Sequence, residues 1–188
     1  MILRPYEPIT LPLRHTAIIL CFTMYVPLTL NLRDRRKQQQ NIIRSRKLYK
    51  KGMYLSRPAV TFRSKPSRHV QNAKQMYGID SIRPSLLLSK KTKCSLRGLN
   101  QIVKKGEGAY YSSGSRPNQT AQSWGYARLA SALTGAKASM VDFDILNREC
   151  SSTSKALLLA RGGIRTHEAE ARDLKPRPFD RSGTRALQ

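Results

Sequence analysis

The longest apolar run in the chain is Thr16–Leu30, interrupted by Pro27 and followed by Arg33, Arg35, Arg36 and Lys37. It is short for a membrane span, which takes about 20 residues. It also begins late for a signal segment and has no small-x-small cleavage site before Arg33. A membrane or targeting role through residues 16–30 therefore ranks below an added extension or a hydrophobic element of the fold. From Leu32 to Lys74 apolar residues are too sparse to show a period, and the segment reads as a basic arm. Two weak alternations, Lys51–Ser56 and Pro58–Arg63, suggest short strands. Helical spacing starts at His69–Tyr77, where Val70, Ala73, Met76 and Tyr77 share a face, with Ser67 as cap and Gly78 as stop. Ser85–Lys91 and Leu96–Lys105 read as two more helices, the second ending at Gly106. Thr120 caps a helix Ala121–Leu133, closed by Gly135, whose buried stripe is Trp124, Ala127 and Ala130–Leu133. A last helix, Ser139–Cys150, turns Val141, Phe143 and Ile145 toward the core. The expected fold is mainly α: a small helical domain over residues 44–150 with a helix-turn-helix-like pair, short β or loop elements, and disordered basic extensions at 1–43 and 151–188.

Charge sharpens this outline. The 188 residues hold 35 Lys+Arg against 11 Asp+Glu, a net charge of +24. Fourteen of those cations, against one acid, lie within residues 32–75, so most of the excess belongs to the arm. Nucleic-acid phosphate is the commonest partner for such an excess. Tyr49, Tyr54 and Phe62, interleaved with the cations, offer planar surfaces that could stack on bases. Cys21, Cys94 and Cys150 are far apart, as are His15, His69 and His167, so neither a metal site nor a disulfide framework is indicated, and no cofactor is expected.

Two segments carry candidate chemistry. The first is the pair Ser85–Lys91 and Leu96–Lys105, a short helix, a tight turn and a longer basic helix with a serine N-cap, the order of a helix-turn-helix. Ser89 supplies a small residue at the crossing, and Leu88, Cys94, Leu99 and Ile102 supply apolar locks. Lys93 stands where such turns usually have glycine, because the backbone there takes positive φ. On this reading Ser95, Arg97, Gly98, Asn100 and Gln101 face outward. Arg97, Asn100 and Gln101 would meet base edges, while Lys90, Lys91, Lys93, Lys104 and Lys105 would contact phosphates, joined by Arg46, Lys47, Lys50 and Lys51 of the arm. A plain helical hairpin with a charged face is the alternative.

The second segment is Gly106–Thr120, in which Tyr110, Tyr111, Ser112, Ser113, Ser115, Arg116 and Asn118 sit on a glycine- and serine-rich stretch. With Arg128 reaching back to it, this loop could cradle a phosphate, although it lacks the Gly-Lys-Ser/Thr ending of a Walker loop. Enzymatic use is disfavoured. No histidine base lies near Ser112, Ser113 or Ser115, and Asp142 and Asp144 point to different faces. Were the loop catalytic, Tyr111, Ser113, Arg116 and Asn118 would be the residues to test.

The blocks Ser89–Ser95, Ile102–Gly106, Gly108–Thr120, Ser123–Ser131 and Lys137–Asp142, with Arg46–Gly52 upstream, resemble an uncharacterised domain of large DNA viruses of algae and other protists, the domain of unknown function numbered 5824. The resemblance covers about residues 44–150. It implies a small basic viral or virus-derived protein, in the viral particle or the infected-cell interior, and implies no activity. Ala136 stands where that pattern has a second glycine after Gly135. The tail reads differently. Gly163–Thr166, Asp173–Lys175 and Pro178–Gly183 can be encoded by the complements of a T-arm, an anticodon loop and a D-arm of a transfer-RNA gene. Residues from about Ala160 onward would then not be selected to pack; a basic RNA-binding tail is the competing reading. The function expected is nucleic-acid (DNA) binding through the arm and the helix pair, the rivals being a structural virion or core protein that condenses the genome without reading it, and an enzyme using the loop on a phosphate-bearing substrate.

Overall fold

The computed structural model describes residues 25–163. Its helices are α1 (Leu32–Tyr49), α2 (Arg68–Tyr77), α3 (Leu86–Thr92), α4 (Leu96–Ser113), α5 (Ala121–Leu133), α6 (Lys137–Val141) and α7 (Phe143–Glu149). Residues 155–163 form a further helical segment, α8. No strand occurs among the described residues, so the expected strands at 51–56 and 58–63 are extended or turn backbone without sheet partners. No described helix is long and apolar enough to cross a membrane. Most of the 16–30 run, Cys21, and the transfer-RNA-like segments beyond Gly163 lie outside the described residues. The chain divides into two compact units, one holding the residues up to Lys65 together with Glu107–Trp124, the other Pro66–Gly106 and the residues from Gly125 onward.

The second unit has the apolar core. Ala73 and Tyr77 of α2, Leu88 of α3, Leu99, Ile102 and Val103 of α4, Leu129–Leu133 of α5 and Ile145 and Leu146 of α7 are buried together. Each such leucine or isoleucine stabilises the fold by about 2 kcal/mol through burial. Tyr77 Oη donates to the Leu133 carbonyl at 2.8 Å, and burial pushes its pKa up to about 12. Ala156, Leu157 and Ala160 belong to the same cluster, so buried packing continues past residue 150 as far as Ala160. The cause is their spacing: Ala156, Leu157 and Ala160 fall at i, i+1 and i+4 on α8, one helical face.

Several further expectations change. Gly106 does not end its helix, since α4 continues to Ser113. A Cβ on Gly106 would lie 2.6 Å from Gly125 Cα, so the glycine serves a close crossing of α4 on α5. Gly98 is buried rather than outward-facing, because a Cβ there would meet the Glu149 side chain at 2.5 Å. Ser67 makes no side-chain bond as a cap. Cys94 and Cys150 form a disulfide across a 56-residue separation, flanked by the Ser95 N–H to the Glu149 carbonyl at 2.7 Å and the Ser151 N–H to the Lys93 carbonyl at 2.9 Å. Spacing did not reveal the bond because tertiary folding brings the α3–α4 turn against the end of α7. Closing a loop of that length constrains the unfolded chain by about 4 kcal/mol in the chain-entropy account.

The expected helix Ser139–Cys150 is two short helices broken at Asp142, and Val141, expected in the core, is 65% exposed. Asp142 is completely buried and explains the break. Its carboxylate accepts from Arg128 Nε at 2.7 Å and Nη2 at 2.8 Å, and pairs with Lys105 Nζ at 2.8 Å. The Arg128 guanidinium is thus engaged by Asp142. A buried carboxylate is tolerated here because a two-pronged guanidinium and an ammonium share it. Asp142→Asn leaves both cations short of their counter-charge, with an expected loss of about 3–5 kcal/mol in urea denaturation of the full chain.

Candidate nucleic-acid interface

The segment read as a basic arm begins with an ordered helix. Asn31 caps α1 by accepting the Asp34 N–H at 2.7 Å, while Asp34 in the first turn and Arg46 and Lys47 in the last match the helix dipole. The boundary expected at residue 44 falls inside this helix. Its buried face is Asp34, Gln38, Ile42 and Ser45, at helical spacing but with a single apolar member. Gln38 Nε2 donates to the Tyr25 carbonyl at 3.2 Å and the Ser115 carbonyl at 3.1 Å. Asp34 accepts the Thr61 N–H at 3.0 Å, a bond that holds its carboxyl below the usual carboxylate range. Arg33, Arg36, Arg44 and Lys47 occupy the opposite face, all exposed, and exposed Lys50 and Lys51 follow the helix.

Arg57 organises the interior of this unit. Its Nη1 donates to Ser115 Oγ at 3.0 Å and its Nη2 to Ser45 Oγ at 3.3 Å. Nη2 also donates to the Tyr110 carbonyl, and the guanidinium lies 4.1 Å over the Tyr110 ring. Burial pulls the Arg57 pKa down from the ordinary arginine value, with Arg46 acting in the same direction, yet arginine stays charged at neutral pH. The Tyr110 carbonyl belongs to the last turn of α4, whose final carbonyls have no partner within the helix. Arg46 Nη2 satisfies another of them, the Ser113 carbonyl, at 2.7 Å.

The same geometry accounts for the polar run after α4. Ser115 is buried, accepts from Arg57 and donates to the Arg116 carbonyl at 3.0 Å. Asn118, in the left-handed region at φ 57°, accepts the Val60 N–H at 2.9 Å and donates to the Val60 and Phe62 carbonyls at 2.9 and 2.7 Å. Its amide thus does for residues 60–62 what a neighbouring strand would do. Ser115 and Asn118, both in the expected loop, thus bond to other parts of the protein. Tyr110 is 2% exposed beneath Arg57, whereas Arg116, Ser112 and Ser113 remain exposed. Thr120 and Ser123 exchange side-chain-to-backbone bonds at 3.0 Å each, the reciprocal cap that starts α5.

Four tyrosines grade from buried to exposed beside α1. Tyr110 meets Tyr111 edge-on at 5.0 Å, Tyr111 stacks on Tyr49 at 5.8 Å, and Tyr54 sits edge-on to Tyr111 at 5.1 Å and to Tyr49 at 5.8 Å. Burial raises the Tyr111 pKa, and Glu107 on α4 adds to the rise. Next to this cluster a cleft of about 440 Å³ is lined by Arg46, Lys47, Tyr49, Lys50 and Ser112. The structure thus gathers Arg46, Lys47, Lys50 and Ser112, which the sequence placed in separate candidate groups, with Tyr49.

The other candidate residues lie on α3 and α4 of the second unit. Lys93 takes the left-handed conformation at φ 55° between the two helices, and its Nζ donates to Thr153 Oγ1 at 3.2 Å. Lys90, Lys91, Arg97, Asn100 and Lys104 are exposed. Ser95 Oγ donates to Glu149 at 2.6 Å, a bond that leads in lowering the Glu149 pKa, and Gln101 accepts from Arg148 at 3.1 Å. The end of α7 thus occupies part of the face expected to read bases, and places a carboxylate beside Arg97. Lys105 is committed to Asp142.

Fold and site together define a small, strongly basic, mainly helical domain with an aromatic, cation-lined cleft. The chain belongs to the family of unknown function DUF5824, whose profile covers residues 30–149. No curated protein and no solved structure matches it.

Arg57 was not among the residues singled out from sequence, since one arginine among many cations has no distinguishing spacing. Arg57→Met removes the guanidinium's bonds to Ser45, Ser115 and the Tyr110 carbonyl, with an expected loss of about 3 kcal/mol in urea denaturation. Arg57→Lys recovers little, because an ammonium cannot reproduce the planar fork.

Proposed function

We propose that the protein binds nucleic acid, with phosphates lying along the exposed face of α1. The observation that carries this reading is the sorting of charge on that helix. Arg33, Arg36, Arg44 and Lys47 share the outward face, while its one carboxylate, Asp34, points inward onto the Thr61 N–H. Eighteen residues of helix span about 27 Å. An ordered row of cations over that length matches several successive phosphates and favours a positioned contact over indiscriminate polycation behaviour. The resemblance to domains of large DNA viruses favours DNA as the polymer and a viral or virus-derived setting.

Fluorescence anisotropy of the full chain on a labelled duplex across a KCl series tests this reading. Arg44→Ala combined with Lys47→Ala is expected to flatten the log–log salt slope by about 1.5–2, as two lost phosphate contacts require. An unchanged slope, or binding indifferent to salt, overturns it.

The helix-turn-helix component is a separate part of the proposal. Lys93 in the left-handed turn and the exposed Arg97 and Asn100 support it. Arg97→Ala with Asn100→Ala is expected to reduce discrimination between duplex sequences by about 1–3 kcal/mol per lost base contact. Binding without sequence preference in the unaltered protein removes this component and leaves a protein that coats or condenses the genome.

A further inference from the structure

We infer that the cleft at the end of α1 is a binding site for single-stranded nucleic acid, in which Tyr54 stacks on an unpaired base and Lys47, Lys50 and Ser112 hold the adjoining phosphate. The inference rests on the proposal that the protein binds nucleic acid and assigns a form of the polymer and a place for it.

The argument begins with the turn after α1. Gly52, at φ +75°, donates to the Tyr49 carbonyl at 3.0 Å and Met53 to the Leu48 carbonyl at 3.0 Å, so the chain folds back and returns Tyr54 to the side of Tyr49. There Tyr54 stays 69% exposed, although Tyr49 and Tyr111 both contact it edge-on. A single exposed aromatic ring is ordinary on a protein surface. A ring braced by two neighbours and left exposed is different, because its orientation is already set and stacking costs it little further freedom. Tyr49, which Tyr54 meets edge-on, also lines a cleft of about 440 Å³, within the usual range for small-molecule sites, about 300–1,000 Å³. Lys47, Lys50 and Ser112 line it together with Tyr49, so two side chains that end in ammonium groups and one hydroxyl residue stand beside an aromatic ring. Cations against an aromatic platform are the elements of single-strand recognition, since every base offers a π-face and every nucleotide a phosphate. Bases within a duplex stack on each other and have no free face for Tyr54.

The test compares the full chain and two variants on a labelled oligo(dT) and on a duplex of equal length at one salt concentration. Because Tyr54 is exposed, its truncation spares the core. Tyr54→Ala is expected to weaken oligo(dT) binding by roughly five- to one-hundred-fold while leaving duplex affinity unchanged, and Tyr54→Phe to retain single-strand binding. Equal weakening on both polymers, or no weakening on oligo(dT), overturns the inference. So does competition by thymidine monophosphate as strong as that of the oligonucleotide, which would make the occupant a free nucleotide. Failure of the unaltered protein to bind either polymer refutes the broader proposal, whereas binding to the duplex alone refutes only this one.

Discussion

The Arg57 guanidinium lies where a small unit would ordinarily place a cluster of aliphatic side chains. It bonds Ser45 of α1, Ser115 of the following loop and the Tyr110 carbonyl in the last turn of α4, and it covers the Tyr110 ring. A buried acceptor that loses such a donor costs about 1–3 kcal/mol. The dependence therefore runs both ways: α1, the loop and the end of α4 hold the guanidinium in place, and the guanidinium satisfies all three. Gln38 and Asn118 extend the same principle, one amide bonding the Ser115 carbonyl and the other the Val60 and Phe62 backbone.

The two units reach stability by different routes. The second buries aliphatic side chains from most of its helices and adds one disulfide and one buried carboxylate shared by two cations. The first has few buried apolar residues, among them Val26, Leu30, Ile42 and Val60, and relies on directional bonds. Polar networks of this kind are costly when incomplete and restrictive when complete. With Asp34, Gln38 and Ser45 turned inward, the cations of α1 are left on the outer face and near the cleft. The charge distribution on which the proposed binding rests is thus a by-product of how this unit is held together.

How much could be read beforehand depended on the kind of face each helix buries. α2 buries apolar residues at helical spacing and α5 buries the continuous run 129–133, with the predicted Trp124 and Ala127 only half-buried; the limits of both helices were legible within a residue or so, as were the left-handed turn at Lys93 and the stop at Gly135. α1 was not legible as a helix, because its inward positions are Asp34, Gln38 and Ser45 and carry no hydrophobic period. Gly106 misled in the opposite direction. Glycine is a common helix stop, but here it allows a close approach to Gly125, which no local pattern reveals. At the candidate site the basic and aromatic residues were recognisable as types, while their grouping was not, because Tyr111 and Ser112 lie far along the chain from Tyr49 and Tyr54.

Sequence alone determined the helical class, the concentration of positive charge in residues 32–75 and the caps and turns that depend on near neighbours. Those properties follow from composition, from periodicity and from bonds spanning a few residues. Tertiary structure decided which polar groups would be consumed internally and which would remain at the surface. It committed Ser115, Asn118 and Arg128 to partners inside the protein, joined Cys94 to Cys150, and left Lys47, Lys50, Ser112 and Tyr54 accessible. The physical reason is that a hydrogen bond or an ion pair is settled by distance in space, and residues such as Arg57 and Ser115 meet only after the chain between them has folded.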